Sequence, residues 1–167
     1  DPHLHRVHEL ADAVPVAAAV SLSAAERLGE HIAGQVRSPL LLGPDEESQQ
    51  WLQRAAAAAG AEFCLARKVR HGDREVNILL PEDQAFADRD VILIDDMAST
   101  GQTLVEAAAQ LLGRGARHVD AALTHALFAG DAFIQMQQAG IRHVWSTDSI
   151  AHASNAVALA PLLAGAL

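Results

Sequence analysis

The chain has 167 residues, half of them hydrophobic, and a formal net charge of −9. That length suits one domain with a real core, and the acidic balance argues against general nucleic-acid binding, which needs a basic surface. No run approaches the about 18 apolar residues of a membrane helix, no basic–apolar–small leader opens the chain, and a lone cysteine, Cys64, excludes an internal disulfide framework and fits a reducing, cytoplasmic setting.

In chain order, the His-rich residues 1–10 read as a strand end or loop. Ser23 and Glu26 have capping-box spacing, which predicts a helix over residues 24–36. Residues 38–42 are a short apolar run closed by Gly43-Pro44, hence a buried strand and a turn. Asp45 can cap a helix over residues 46–59, with acidic residues in its first turn as the dipole prefers, and Gly60 ends it. Residues 61–66 read as a strand, 67–74 as a charged, Gly-containing loop, and 75–80 as a strand leaving it. Residues 90–94, Asp90 followed by Val-Ile-Leu-Ile, are a β-branched run typical of a parallel strand buried on both faces. A helix over 103–112, a strand over 119–126, a helix over 131–138 and strands over 143–146 and 155–160 follow. Pro161 opens a last short helix. Strands alternating with helices imply a parallel α/β sheet.

The chemistry is concentrated in Val91–Leu104, VILIDDMASTGQTL. A buried strand delivers Asp95 and Asp96 to the carboxyl edge of the sheet, where ligands of such folds bind. Ser99, Thr100, Gly101, Gln102 and Thr103 then turn into a helix, offering backbone N–H groups, hydroxyls and a positive helix end to an anion. The carboxylates cannot serve a phosphate, because like charges repel. They suit the vicinal hydroxyls of a sugar, directly or through a divalent metal. An anion site and a diol site about one pentose apart match a ribose 5-phosphate. A Walker-type loop is excluded because no Gly-Lys-Ser/Thr follows, and the dinucleotide fingerprint is absent.

Other residues are less telling alone. By spacing, Lys68 and Arg70 read as a solvated basic loop as readily as a phosphate-binding pair, in which Lys supplies a compact cation and Arg a planar fork. Asp45 can be a simple cap, a ligand for a hard cation such as Mg²⁺, or both. His3, His5, His8 and His31 invite a metal-site reading that H-x-H spacing does not establish. His125 and Asp148 follow strand ends, where ordinary turn hydrogen bonds are the commoner fate. Trp51 and Trp145 read as packing residues, and Cys64 as inert core.

DDMASTGQT resembles the phosphoribosyl-diphosphate loop of type I phosphoribosyltransferases and ribose-phosphate pyrophosphokinases. Gly43-Pro44-Asp45 resembles the pyrophosphate-side loop of the pyrophosphokinases, Lys68-Val69-Arg70 their K-x-R pair, and Asp1-Pro2-His3 the segment whose His contacts metal–ATP. Arg89 through Asp148, with Thr124-His125 and Gly130-Asp131, is similar to the archaeal type. The resemblance departs at Glu46-Glu47-Ser48, where the family has glycines, and at Ser99, where most members have Asp.

The resemblance implies a parallel-sheet type I phosphoribosyltransferase-like α/β fold with flanking helices. It implies the C-terminal half of a ribose-phosphate pyrophosphokinase, with a remnant of the N-terminal half at residues 1–18 and the C-terminal domain at 19–167. Lys68 and Arg70 are then catalytic, Asp95, Asp96 and Ser99 through Thr103 bind ribose 5-phosphate, and His3 and Asp45 hold Mg²⁺. ATP and ribose 5-phosphate are the substrates, and ATP sits partly on the N-terminal half, with a neighbouring subunit of a homo-oligomer contributing. Two further readings remain open: a base-using type I phosphoribosyltransferase, and a non-catalytic ribose-phosphate-binding regulatory subunit. Against the first stand the absence of a distinct hood segment and aromatics that make up only 4% of the chain.

Overall fold

A computed structural model describes residues 1–2, 10–14, 19–71 and 75–166, with the side chains of residues 11, 47, 69–71 and 75–76 outside the description. The elements in chain order are α1 (Leu10–Ala13), α2 (Ala25–Gln35), β1 (Leu40–Gly43), α3 (Gln49–Ala59), β2 (Glu62–Leu65), β3 (Arg67–His71), β4 (Glu75–Leu79), β5 (Asp90–Ala98), α4 (Gln102–Gly113), β6 (His118–Ala126), α5 (Ala132–Gln138), β7 (Ile141–Thr147), β8 (Asn155–Val157) and α6 (Ala160–Ala164). Six strands form a parallel sheet in the order β2-β1-β5-β6-β7-β8. β3 and β4 pair with each other as an antiparallel hairpin.

The central strands read as unbroken apolar runs because both faces of the sheet are covered. Leu40, Leu42, Val91 and Leu93 pack on one face with Leu104, Ala107, Ala108 and Leu111 of α4 and with Ile78 of the hairpin. Leu41, Ile92 and Ile94 pack on the other with Leu28 and Ile32 of α2 and Leu52 and Ala55 of α3. Each such aliphatic side chain contributes about 1.5–3 kcal/mol on burial. The crossover α3 (β1 to β2) and the crossover α4 (β5 to β6) therefore lie on opposite faces. The chain winds outward in both directions from the β1–β5 pair, which makes the carboxyl ends of these two strands the topological switch point, the usual ligand crevice of open α/β sheets. No helix among the described residues is long and apolar enough to cross a membrane.

Several expectations are corrected. Residues 67–74, read as a loop, contain strand β3, whose register runs from Arg67↔Leu79 to His71↔Glu75. Its partner is β4, and a charged edge strand has no apolar alternation to reveal it. The capping box does not form. The Ser23 hydroxyl accepts from Ala25 N–H at 3.3 Å, while Asp1 Oδ2, distant in sequence, accepts from Ala24 N–H at 2.8 Å. The expected helix over 46–59 opens with a 3-10 turn, Glu46–Ser48, which Asp45 caps by accepting from Ser48 N–H at 3.2 Å. β5 continues past Ile94 to Ala98, so Asp95 and Asp96 lie within the strand. The last strand stops at Val157 and α6 begins at Ala160, with Pro161 in its first turn. In the N-terminal stretch, residues 3–9 lie outside the described residues and Leu10 opens α1.

Candidate functional site

Strand alternation turns Asp95 and Asp96 to opposite faces of β5. Asp96 is 4% exposed, Asp95 is half-buried, and Asp96 N–H donates to the Asp95 carboxylate at 3.0 Å. Burial pushes the Asp95 carboxyl well above the ordinary carboxylate range, and the negative charges of Asp96 and then Asp45 push it further. The Asp96 N–H and the Lys68 ammonium oppose the shift without cancelling it. A carboxyl held in this condition calls for a hydroxyl or a cation to face it.

Beyond β5 the chain turns through exposed Ser99 and Thr100. Gly101 sits at φ 69° and ψ 0°, a left-handed conformation that favours glycine, and a Cβ there would lie 3.1 Å from Met136 Sδ. This turn starts α4 with no hydrogen bond from its N-cap residue's side chain; Gln102 N–H meets Thr100 Oγ1 at a long 3.5 Å, and the helix's positive end faces the side an anion would approach. Ala129 N–H donates to Ser99 O at 2.9 Å, so the loop after β6 braces the turn.

Across the switch point, β1 ends at Gly43, where an added Cβ would meet Ser48 Oγ at 2.3 Å. The close approach lets Ser48, fully buried, donate its hydroxyl to Asp45 O at 2.6 Å and fix the turn that presents Asp45. Lys68 Nζ, on β3, lies 3.6 Å from Asp45 Oδ2. Asp45, Lys68, Asp95 and Asp96 thus share one electrostatic field beside the turn of Ser99 through Thr103. His3 lies outside the described residues, as do His5, His8 and the side chain of Arg70. His31 packs edge-on against Trp145 at 5.4 Å.

No group of three or more His, Cys, Asp or Glu among the described residues is arranged to hold a metal ion. Asp45, Asp95 and Asp96 are the carboxylates of this edge that could face a hard cation, together with water and ligand oxygens.

The rim of the edge is self-satisfied. His125 Nδ1 is 2.9 Å from Ser149 Oγ and its Nε2 2.7 Å from Asp1 O, and Asp148 Oδ1 accepts from Leu159 N–H at 2.8 Å. Trp51 and Trp145 pack against the α2–α3 core. Burial pushes the Cys64 thiol up to about 11, as befits an inert group. One residue whose role the motifs did not reveal is Asp1. Its carboxylate accepts from Trp51 Nε1–H at 2.8 Å and Thr124 Oγ1–H at 3.1 Å as well as Ala24 N–H, tying the Asp1-Pro2 segment to the carboxyl edge. Such partners are far apart in sequence, and no local pattern announces them.

Residues 7–152 match the phosphoribosyl transferase domain family. The chain is 33% identical over 150 residues to a ribose-phosphate pyrophosphokinase of Methanosarcina acetivorans, covering 89% of this chain and 53% of that protein. It is 36% identical over 144 residues to ribose-phosphate pyrophosphokinase 2 of Archaeoglobus fulgidus, covering 86% and 52%. The crystal structure of phosphoribosylpyrophosphate synthetase from Mycobacterium smegmatis superposes with a TM-score of 0.64 at 25% identity, over 85% of this chain and 47% of that one. The chain spans about half the length of the curated relatives it matches.

Proposed function

The chain belongs to the phosphoribosyl transferase domain family, and on that premise we propose that it forms the ribose-phosphate side of a ribose-phosphate pyrophosphokinase active site. The reaction moves the β,γ-diphosphate of ATP onto the 1-hydroxyl of ribose 5-phosphate. The 1-hydroxyl oxygen bonds to the β-phosphorus and gives its proton to solvent, the bond from that phosphorus to the α,β-bridging oxygen breaks, and AMP leaves with that oxygen. The observation that carries this reading is the meeting of Asp45 and Lys68 at 3.6 Å across the switch point from the Asp95–Thr103 segment. A phosphoribose site alone needs the second; a cation and an acid on the C1 side speak for diphosphate arriving there.

Each residue has a physical task. The start of α4 and the side chains of Ser99, Thr100 and Thr103 hold the 5-phosphate, with Gly101 and Gln102 presenting backbone amides. Asp95 and Asp96 accept from the ribose hydroxyls, which relieves the repulsion between them. Lys68, with Arg70, stabilises the charge gathering on the transferred diphosphate. Asp45 and His3 would hold Mg²⁺, which when bound neutralises diphosphate charge. ATP and ribose 5-phosphate are the substrates. As the resemblance implies, ATP sits partly on the N-terminal half, with a neighbouring subunit of a homo-oligomer contributing, and exposed Phe63, on the edge strand β2, offers such an assembly an apolar contact. The single thiol suits a cytoplasmic setting.

The test is an AMP-release assay on the complete gene product with Mg-ATP and ribose 5-phosphate. Activity is expected, and Lys68→Ala should lower kcat about 100- to 1000-fold with its thermal midpoint preserved. Tight ribose 5-phosphate binding without AMP would point to a regulatory subunit, and base-dependent pyrophosphate release to a phosphoribosyltransferase.

A further inference from the structure

Helix α4 carries a polar stripe on one side, Glu106 and Gln110, continued by Arg114 just past its end, spaced i, i+4, i+8 so that they stand above one another. The stripe is turned onto the chain leaving the hairpin. Glu106 Oε1 accepts from Ile78 N–H at 2.8 Å, and Gln110 Nε2 donates to Ile78 O at 2.6 Å and to Glu106 Oε1 at 3.3 Å. One turn further, Arg114 donates to Pro81 O at 2.8 Å and Gln84 O at 3.1 Å, and its guanidinium lies 4.7 Å over the Phe86 ring. Side chains of a helix thus occupy the place of a neighbouring strand.

The energetics make this a clamp. Among the described residues, β4 pairs with β3 alone, and Ile78 is fully buried in the core on the α4 face. An amide buried there without partners would cost about 1–3 kcal/mol per group. Glu106 and Gln110 supply one acceptor and one donor, the complement of a single residue's backbone.

The register gives the clamp a second meaning. Ile78 is the cross-strand partner of Lys68, whose Nζ reaches Asp45. The same helix that clamps Ile78 begins at Gln102, inside the loop that offers amides to a phosphate. One rigid element therefore references both the anion site and the strand pair that carries Lys68.

We propose that Glu106 and Gln110 are positioning residues, which hold the β3–β4 hairpin by Ile78 so that Lys68 stays in register with the phosphate loop. The proposal rests on the role of Lys68 given above. Displacing a reacting group by about 1 Å can cost about 100-fold in rate, and the clamp is the link that limits such displacement.

The test uses the complete gene product. Glu106→Ala and Gln110→Ala should lower kcat by about tenfold or more, leave the Kd for ribose 5-phosphate by calorimetry unchanged, and speed hydrogen exchange at the Ile78 amide. Glu106→Gln, which keeps an acceptor oxygen, should restore both rate and protection. If the alanine variants do not fold, Gln110→Met, which removes the donor at similar volume, is judged by the same readouts. Fast exchange at Ile78 with full kcat would overturn the proposal, as would a loss of ribose 5-phosphate affinity parallel to the loss of rate, which marks a general disruption of α4. Lys68→Ala separates the two claims. An inactive Lys68→Ala beside fully active clamp variants overturns the positioning role alone. An active Lys68→Ala overturns the catalytic reading of the hairpin, and the clamp's role with it.

Discussion

Asp120 on β6 and Asp95 on β5 are carboxylates on adjacent strands of one sheet, toward its amino and carboxyl ends, and their surroundings differ in kind. Asp120 is fully buried, yet it accepts from Arg142 Nη2 at 2.6 Å and Nε at 3.1 Å and from His143 N–H at 3.0 Å, with His143 Nδ1 at 3.1 Å. These bonds bridge the register irregularity between Val119 and Ala121, stitching β6 to β7. Asp95 has the charges of Asp96 and Asp45 near it, and the opposing Lys68 leaves its carboxyl raised. The fold completes the first acid by itself. The second stays raised despite the Asp96 N–H it accepts, and unbalanced groups of this kind gather where binding or catalysis takes place.

Removing each carboxylate should break the pair apart. Asp120→Ala leaves the His143 N–H without its acceptor while the Arg142 side chain, 37% exposed, can turn to water, so the loss should be about 1–3 kcal/mol. Urea titration should show that loss, and a change within error of zero would refute the assignment of Asp120 as a self-satisfied structural acid.

Asp95→Asn should act in the opposite direction on stability and abolish function. Ribose 5-phosphate affinity should fall about 10- to 100-fold, as when a charged hydrogen-bond acceptor is lost, while the thermal midpoint measured without divalent cation rises. The pH dependence has a definite sign. Because the folded pKa is raised, the stability tied to protonated Asp95 is present below the ordinary carboxylate value of about 4 and is lost as pH rises through the raised value. The wild-type chain should therefore fall behind Asp95→Asn on going from acid to neutral pH, and the gap should close in acid. A gap that widens in acid would contradict the raised value.

Cys64 gives the smallest effect and a control on β2, next to the switch point but turned into the core. Its thiol is pushed up to about 11, so thiolate is scarce near pH 8 and native alkylation should be slow. Its contribution to stability holds below the usual thiol pKa and fades as pH rises toward 11. Mass spectrometry after iodoacetamide should show slow labelling in buffer and fast labelling in urea. Equal rates would mean that β2 is not packed as described.

Parts of the site were legible because they are contiguous. β5, its two acids, the Gly101 turn and α4 lie within twenty-four consecutive positions, Asp90 to Gly113, so local preferences alone specify them, and Asp45 announced itself after a Gly-Pro turn. The hairpin was half legible: β4 was read as a strand, but β3 was not, since Arg67, Lys68 and Arg70 show no apolar period. Glu106, Gln110 and Arg114 form a regular stripe in the sequence, but such a stripe usually marks a solvated helix face. Only the position of Ile78 turns it into a clamp.

The sequence by itself determined the class of the fold and the turn that opens α4. Period-2 burial, helix breaks and the turn geometry of glycine are properties of neighbours along the chain. The tertiary structure decided which strands adjoin, and hence that Asp45 and Lys68 meet opposite Asp95. That choice depends on α3 and α4 crossing on opposite faces of the sheet. It decided as well that Asp120 meets donors while Asp95 is crowded by other acids, because both lie on buried strands and only Arg142 and His143 of β7, against Asp96, Asp45 after β1 and Lys68 of β3, distinguish them.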